Sequence, residues 1–204
     1  MNAAAYYLVI DLEATCDDQK RIRTKEMETI EVGAVLVDGD TLEPIDEFQT
    51  FIKPVRHPVL TDFCTRLTTI TQADVEHAPR FPEAMARARH FLAGRPALFC
   101  SWGIYDKHQL EQDAHHHKAS LPFGKEHLNL KKRFSEVLGE ETRYGMAGAL
   151  RRVGLPLLGT QHRGIDDARN IARLLPWVLG REKAPPLDPT QLTRLAKEQE
   201  EARA

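Results

Sequence analysis

Asp11 and Glu13 stand two residues apart at the end of the apolar run Tyr6-Tyr7-Leu8-Val9-Ile10. Side chains alternate between the faces of a strand, so this spacing aims both carboxylates the same way. Two like charges at the mouth of a hydrophobic strand repel and lose hydration, a cost that a cation, a shared proton or water must offset, and the geometry suits a divalent cation. Farther on, Asp166 and Asp167 are adjacent, and only one of them can face inward on a helix. Counting by three and four from Asp167 reaches Ile171, Leu174 and Val178, an apolar stripe, whereas Asp166 leads to Asn170 and Arg173. Asp167 is therefore the inward carboxylate, and since the positive helix end meets only part of its need, a metal is the simplest completion. His162 lies in the loop entering that helix, beside Gly159, Arg163 and Gly164. An imidazole there is suited to taking a proton from water near neutral pH. Asp106 falls in the first turn of a helix behind the run Ala97 to Trp102 and can approach the strand of Asp11 and Glu13. Four carboxylates and a histidine are thus expected to converge.

The elements that must position them read as three strands, two helices, a strand, a helix, and then further helices. Thr29 to Val37 is a buried strand, Asp38-Gly39-Asp40 a turn, and Phe48 to Lys53 a third strand ending at Pro54, which together form an antiparallel meander. Thr61 caps a helix over Asp62 to Ile70, Thr71 caps a short turn containing Asp74, and Pro82 opens a helix from Glu83 to Ala93. Ala97 to Trp102 is another buried strand, followed by helices over Tyr105 to His115, Gly145 to Val153, and Ile165 to Leu179 with a bend near Pro176. Residues 1–180 read as one catalytic domain and 181–204 as a polar tail, a short helix at best.

The chain has 204 residues, 42% hydrophobic and 28% charged, enough for one full core. Its start carries no cation before an apolar run that ends at Asp11, too short for a signal peptide or a membrane span, so a cytoplasmic protein without membrane contact is expected. Cys16, Cys64 and Cys100 are odd in number and widely spaced, which points to reduced thiols. A net charge of −2 argues against a broad grip on a long duplex. A strand end can still be held by metals, stacking, and local cations such as Lys107, Lys131, Lys132, Arg133 and Arg163.

Several ordered stretches carry a family likeness: Ile10 to Cys16, Glu28 to Ala34, Leu60 to Cys64 with Leu67-Thr68 and Ile70 to Gln72, Ser101 to Gly103 with Tyr105-Asp106, and His162 to Ala172. In these the chain resembles the DEDDh exonuclease superfamily, more closely the branch of ERI-type RNA exonucleases and bacterial KapD-like proteins. The resemblance spans about Tyr6 to Gly180. It implies an α/β, RNase H-like fold with a mixed five-stranded sheet flanked by helices. It also implies two Mg2+ or Mn2+ ions held at Asp11, Glu13, Asp106 and Asp167, with His162 as general base and Glu13 serving in catalysis as well as in metal binding. The reaction implied is hydrolysis from the 3′ end of a single strand or overhang, releasing nucleoside 5′-monophosphates. The family pattern puts an aromatic residue before the third acid, here Tyr105, and an apolar pair on the first helix, here Phe63 and Leu67. A base could stack between them, with the backbone of Ala14 and Thr15 near the terminal sugar. The ERI-type likeness tilts the substrate toward RNA.

Two rivals stand beside this expectation: a DNA-trimming or proofreading exonuclease with the same chemistry, and a catalytically silent RNA-binding or regulatory protein on the same scaffold. Neither the oligomeric state nor protein partners can be read from the residues. His115-His116-His117 does not suggest a metal site, because adjacent helical positions splay about 100° apart; it reads as a solvated helix end. Lys131-Lys132-Arg133 reads as a solvated face.

Overall fold

The computed structural model describes residues 4–19 and 21–187. Five strands form one sheet: β1 (Tyr6–Ala14), β2 (Thr29–Asp38), β3 (Pro44–Phe51), β4 (Ala97–Ser101) and β5 (His127–Asn129), in the order β3-β2-β1-β4-β5. β1 pairs antiparallel with β2, β2 antiparallel with β3, β1 parallel with β4, and β4 parallel with β5. The two-residue alternation of β1 splits it between two cores. Tyr7 and Val9 pack with Phe134, Leu150, Ile171 and Leu174 on one side of the sheet, while Leu8, Ile10 and Leu12 pack with Phe81, Met85, Phe99 and Leu110 on the other. Asp11 and Glu13 continue the row of Tyr7 and Val9.

Eight helices cover the sheet among the described residues: α1 (Asp62–Thr68), α2 (Gln72–Glu76), α3 (Phe81–Leu92), α4 (Tyr105–His117), α5 (Leu130–Leu138), α6 (Met146–Arg152), α7 (Gly164–Ala172) and α8 (Leu175–Val178). The Thr61 hydroxyl caps α1 by accepting from the Cys64 amide, and Thr71 and Asp74 form a reciprocal capping box on α2. Apart from shifts of one or two residues at element ends, the structure departs from the sequence-based expectation as follows. β3 begins at Pro44 rather than Phe48, because its first residues face solvent and show no apolar alternation. β5 and α5 have no counterpart among the elements read from the residues: a three-residue strand is too short for periodicity to reveal, whereas α5 carries an Asn129 cap and a Gly139 stop that the reading of Lys131-Lys132-Arg133 as a solvated face left unused. The last long helix is broken rather than bent: α7 ends at Ala172 and α8 starts at Leu175. Pro176 has no N–H to give the Ala172 carbonyl, and its ring would collide with that oxygen. Finally, Asn170 is fully buried instead of facing outward, because its amide bonds both the N–H and the C=O of Leu158. The tail expected over 181–204 lies largely outside the described residues.

α7 meets the sheet through two glycines. Gly33 lies opposite Asp11 in the β1–β2 register, and a Cβ there would sit 2.1 Å from the Gly164 carbonyl carbon. A Cβ on Gly164 would come within 3.0 Å of the Asp11 carbonyl oxygen and 3.1 Å of the Gly33 nitrogen. Only residues without side chains allow the first turn of α7 to rest on the strand pair at Asp11.

Candidate active site

The site forms where the C-terminal ends of β1 and β4 meet the first turns of α4 and α7. β1 presents Asp11 and Glu13 on one face. Asp106, in the first turn of α4, is buried and accepts a hydrogen bond from the Leu12 amide at 3.2 Å, which fixes α4 against the strand between the two acidic positions. Asp167, in the first turn of α7, is buried, and its Oδ2 accepts from the His162 amide at 2.9 Å. The Asp167 amide in turn donates to the Arg163 carbonyl at 2.9 Å, so the segment from His162 to Asp167 closes on itself. His162 takes a left-handed backbone, φ 62°, unusual for a residue with a Cβ and costing about 1–3 kcal/mol that its surroundings must offset.

Glu13, His162 and Asp167 come together: one ligand atom from each lies within 4.8 Å of the others. Asp11 and Asp106 join this group through their charges. Burial raises the Asp11 carboxyl well above the usual range, and Asp106, Asp167, Glu13 and Glu31 add to the rise. Burial pushes Glu13 up to about 8, with further contributions led by Asp167 and Glu31. Asp106 rises to about 6 by burial, restrained by backbone hydrogen bonds, and Asp167 is raised by burial against the pull of its bond from His162. Asp167 Oδ1 is buried without a hydrogen-bond partner. Mutually repelling carboxylates with an orphaned oxygen are a donor set that a hard divalent cation satisfies. The residues present therefore fit metal binding.

That electrostatic strain has a measurable consequence. A carboxyl whose folded-state pKa is raised binds its proton more tightly when folded, so stability falls as pH rises from the unfolded value toward the folded one. In EDTA the thermal midpoint should drop between about pH 5 and about pH 8, the window set by Glu13, by an amount corresponding to a few kcal/mol. Mn2+ should flatten the profile by compensating the charges. A metal-free melting point that stays level over this window would contradict the arrangement.

The expected substrate contacts divide in two. Tyr105 is 42% exposed and Leu67 37%, and half-buried Phe63 lines a groove of about 410 Å³ with Val59, Thr61, Arg66 and Arg21. These are free to meet a ligand. Ala14 and Thr15 are buried: the Thr15 hydroxyl accepts from the Glu28 amide at 3.0 Å, and the Thr15 amide donates to the Glu28 carbonyl at 2.8 Å. Any contact from Thr15 would therefore come from its backbone carbonyl. Arg163, expected among cations guiding a strand, is engaged elsewhere: its Nε donates to Glu31 at 3.2 Å and its guanidinium lies 5.4 Å from the Phe51 ring centroid. The His115–His117 triplet forms the last turn of α4, which runs two residues past the expected end; His115 and His116 are exposed as expected, whereas His117 is half-buried and stacks on the Phe81 ring at 5.4 Å.

Glu31 is the residue that spacing alone does not single out. It faces Glu13 across the β1–β2 pair and is fully buried. A charge inside the apolar run Ile30 to Val37, with the same parity as Gly33, is the available signal.

A family model described as Exonuclease (RNase_T) matches residues 8–175. The chain is 34% identical over 181 residues to mouse ERI1 exoribonuclease 3, covering 83% of this chain and 52% of that protein. It is 30% identical over 185 residues to human 3′-5′ exoribonuclease 1, covering 83% and 51%. The chain thus spans about half the length of these relatives. Among solved structures, the nuclease domain of 3′hExo, a DEDDh family member bound to rAMP, superimposes with a TM-score of 0.80 at 26% identity, covering 92% of this chain and 98% of that one. The mixed five-stranded sheet flanked by helices is the RNase H-like fold of the DEDDh exonucleases.

Proposed function

This chain belongs to the exonuclease (RNase_T) family, and on that premise we propose that it is a metal-dependent 3′→5′ exonuclease that removes nucleoside 5′-monophosphates from single-stranded RNA or 3′ overhangs. The observation that carries the proposal is the gathering of Glu13, His162 and Asp167 within 4.8 Å, beside Asp11 and Asp106, from three separated stretches of chain. A binding protein would gain nothing from buried carboxylates that raise one another's pKa. RNA is favoured over DNA because the relatives at 30% identity and above are named exoribonucleases, and the superimposed nuclease domain carries rAMP.

Asp11, Glu13, Asp106 and Asp167 would hold two divalent cations, Mg2+ or Mn2+. When bound, such ions acidify an attacking water and offset charge on the leaving 3′ oxygen. His162 takes the water's proton: its ring reaches the cluster from the partly open loop side, where it can exchange that proton with solvent. The Asp106 bond to the Leu12 amide keeps Asp11 and Glu13 aimed together. Phe63, Leu67 and Tyr105 offer faces on which the terminal base can stack, an interaction worth about 1–3 kcal/mol per base and tolerant of sequence. Ala14 and Thr15 would border the terminal sugar through their backbone. We place the protein in the cytoplasm, and no helix among the described residues is long and apolar enough to cross a membrane.

The test is a panel of 5′-labelled RNA and DNA oligonucleotides, with free or blocked 3′ ends, in Mg2+, Mn2+ or EDTA. The expected outcome is stepwise shortening of RNA from a free 3′ end, with 5′-monophosphates released and EDTA abolishing the reaction. Faster shortening of DNA would favour the trimming enzyme. Retention of RNA without cleavage would favour the silent binder.

A further inference from the structure

Glu31 is a buried carboxylate whose acceptor positions are all filled from within the fold. Its Oε2 accepts from the Gly164 amide at 3.0 Å and from Arg163 Nε at 3.2 Å. Its Oε1 accepts from Gln49 Nε2 at 2.5 Å and lies 3.5 Å from Arg163 Nη2. With every lone pair directed at an N–H, Glu31 is not placed to ligate an ion, although it borders the acidic cluster and raises Asp11, Glu13 and Asp167.

Its partners sit in the loop that matters. His162 and Asp167 are tied to each other, and Asp167 to the Arg163 carbonyl, but those bonds lie inside one short segment and cannot set where the segment stands relative to the sheet. The Gly33–Gly164 contact brings α7 against the sheet, and the Arg163 and Gly164 bonds to Glu31 tie the loop itself to it, because Glu31 belongs to β2 and is registered opposite Glu13 on β1. The other polar tie from α7 to the sheet, Arg169 with Glu47, is an exposed pair that water and salt weaken. The left-handed His162 backbone also needs an external hold to persist.

We propose that Glu31 is a positioning residue: through Arg163 and the Gly164 amide it locks the loop bearing His162 and Asp167 onto the strand bearing Asp11 and Glu13. This rests on the roles given above to His162 and Asp167. Glu31→Gln replaces one acceptor oxygen by a donor facing other donors, and Arg163→Gln removes the fork from the opposite side. In the full chain with saturating Mg2+, each variant should lower kcat by about 10- to 100-fold while KM moves by less than about threefold, since geometry rather than substrate contact is lost. The double variant should be little worse than either single one, as expected for two members of one device.

A readout independent of turnover is backbone amide exchange in the absence of substrate, where the His162 and Gly164 amides should exchange faster in both variants while β1 and β2 stay protected. If Glu31→Gln fails to fold, Arg163→Gln carries the test alone. An unchanged kcat in a folded variant, or unchanged exchange at His162 and Gly164, overturns the inference. Should the wild-type protein cleave no RNA, the proposed function fails instead, and the exchange measurement still decides whether Glu31 holds the loop.

Discussion

Asp167→Asn lowers the hydrolysis of a single-stranded RNA by about 10³-fold or more and leaves a folded protein. The two halves of this outcome have separate causes. The asparagine side-chain carbonyl can still accept from the His162 amide, now met at 2.9 Å by Asp167 Oδ2, so the loop keeps its anchor. The charge is gone, however, and the orphaned Oδ1 gives way to an amide nitrogen that repels a cation. Removing one carboxylate also relieves its neighbours, so the variant should melt no lower than wild type in EDTA, and it should gain less than wild type when Mn2+ is added. Single-turnover rates at saturating Mg2+, with melting curves in EDTA and Mn2+, read both halves. Turnover at the wild-type rate would remove Asp167 from the machinery.

His162→Ala lowers the rate by roughly 10²–10⁴, the ordinary scale for losing a general base. Because the ring is only partly buried and its anchoring bond is made by the backbone amide, truncation leaves the Asp167 contact in place. Mn2+ affinity, followed by calorimetry, should change far less than the rate. His162→Gly separates chemistry from backbone strain: glycine adopts φ near 62° without penalty, so this variant should be at least as stable as His162→Ala yet equally slow. A loss under about threefold in both variants would assign proton removal to another group.

Much of this site is legible in the sequence because its residues obey periods. Asp11 and Glu13 share a face by strand alternation, and Asp167 faces inward by the helical count, both from local spacing alone. The sheet's central strands are equally plain, each being built on an apolar run. What escapes such reading depends on partners distant in sequence. Glu31 looks like an interruption of a buried strand until Arg163 and Gly164, more than a hundred residues away, supply its donors. Asn170 counts to the outer face of α7 because nothing local reveals that Leu158 folds back over it. Arg163 reads as a free cation for the same reason. β5 is hidden by brevity, and the break before α8 requires knowing that Pro176 disrupts the bond to the carbonyl four residues earlier more than it bends the chain beyond it.

The glycine contact between β2 and α7 bears on how the site breathes. Where main chain abuts main chain, no rotamer can swing aside and no methyl can be traded for space, so that wall behaves as a rigid abutment. Elsewhere, half-buried Phe63 on α1 and the more exposed Leu67 and Tyr105 present side chains that can turn to meet a ligand. Any adjustment to a bound ligand therefore falls to those side chains and not to the glycine wall.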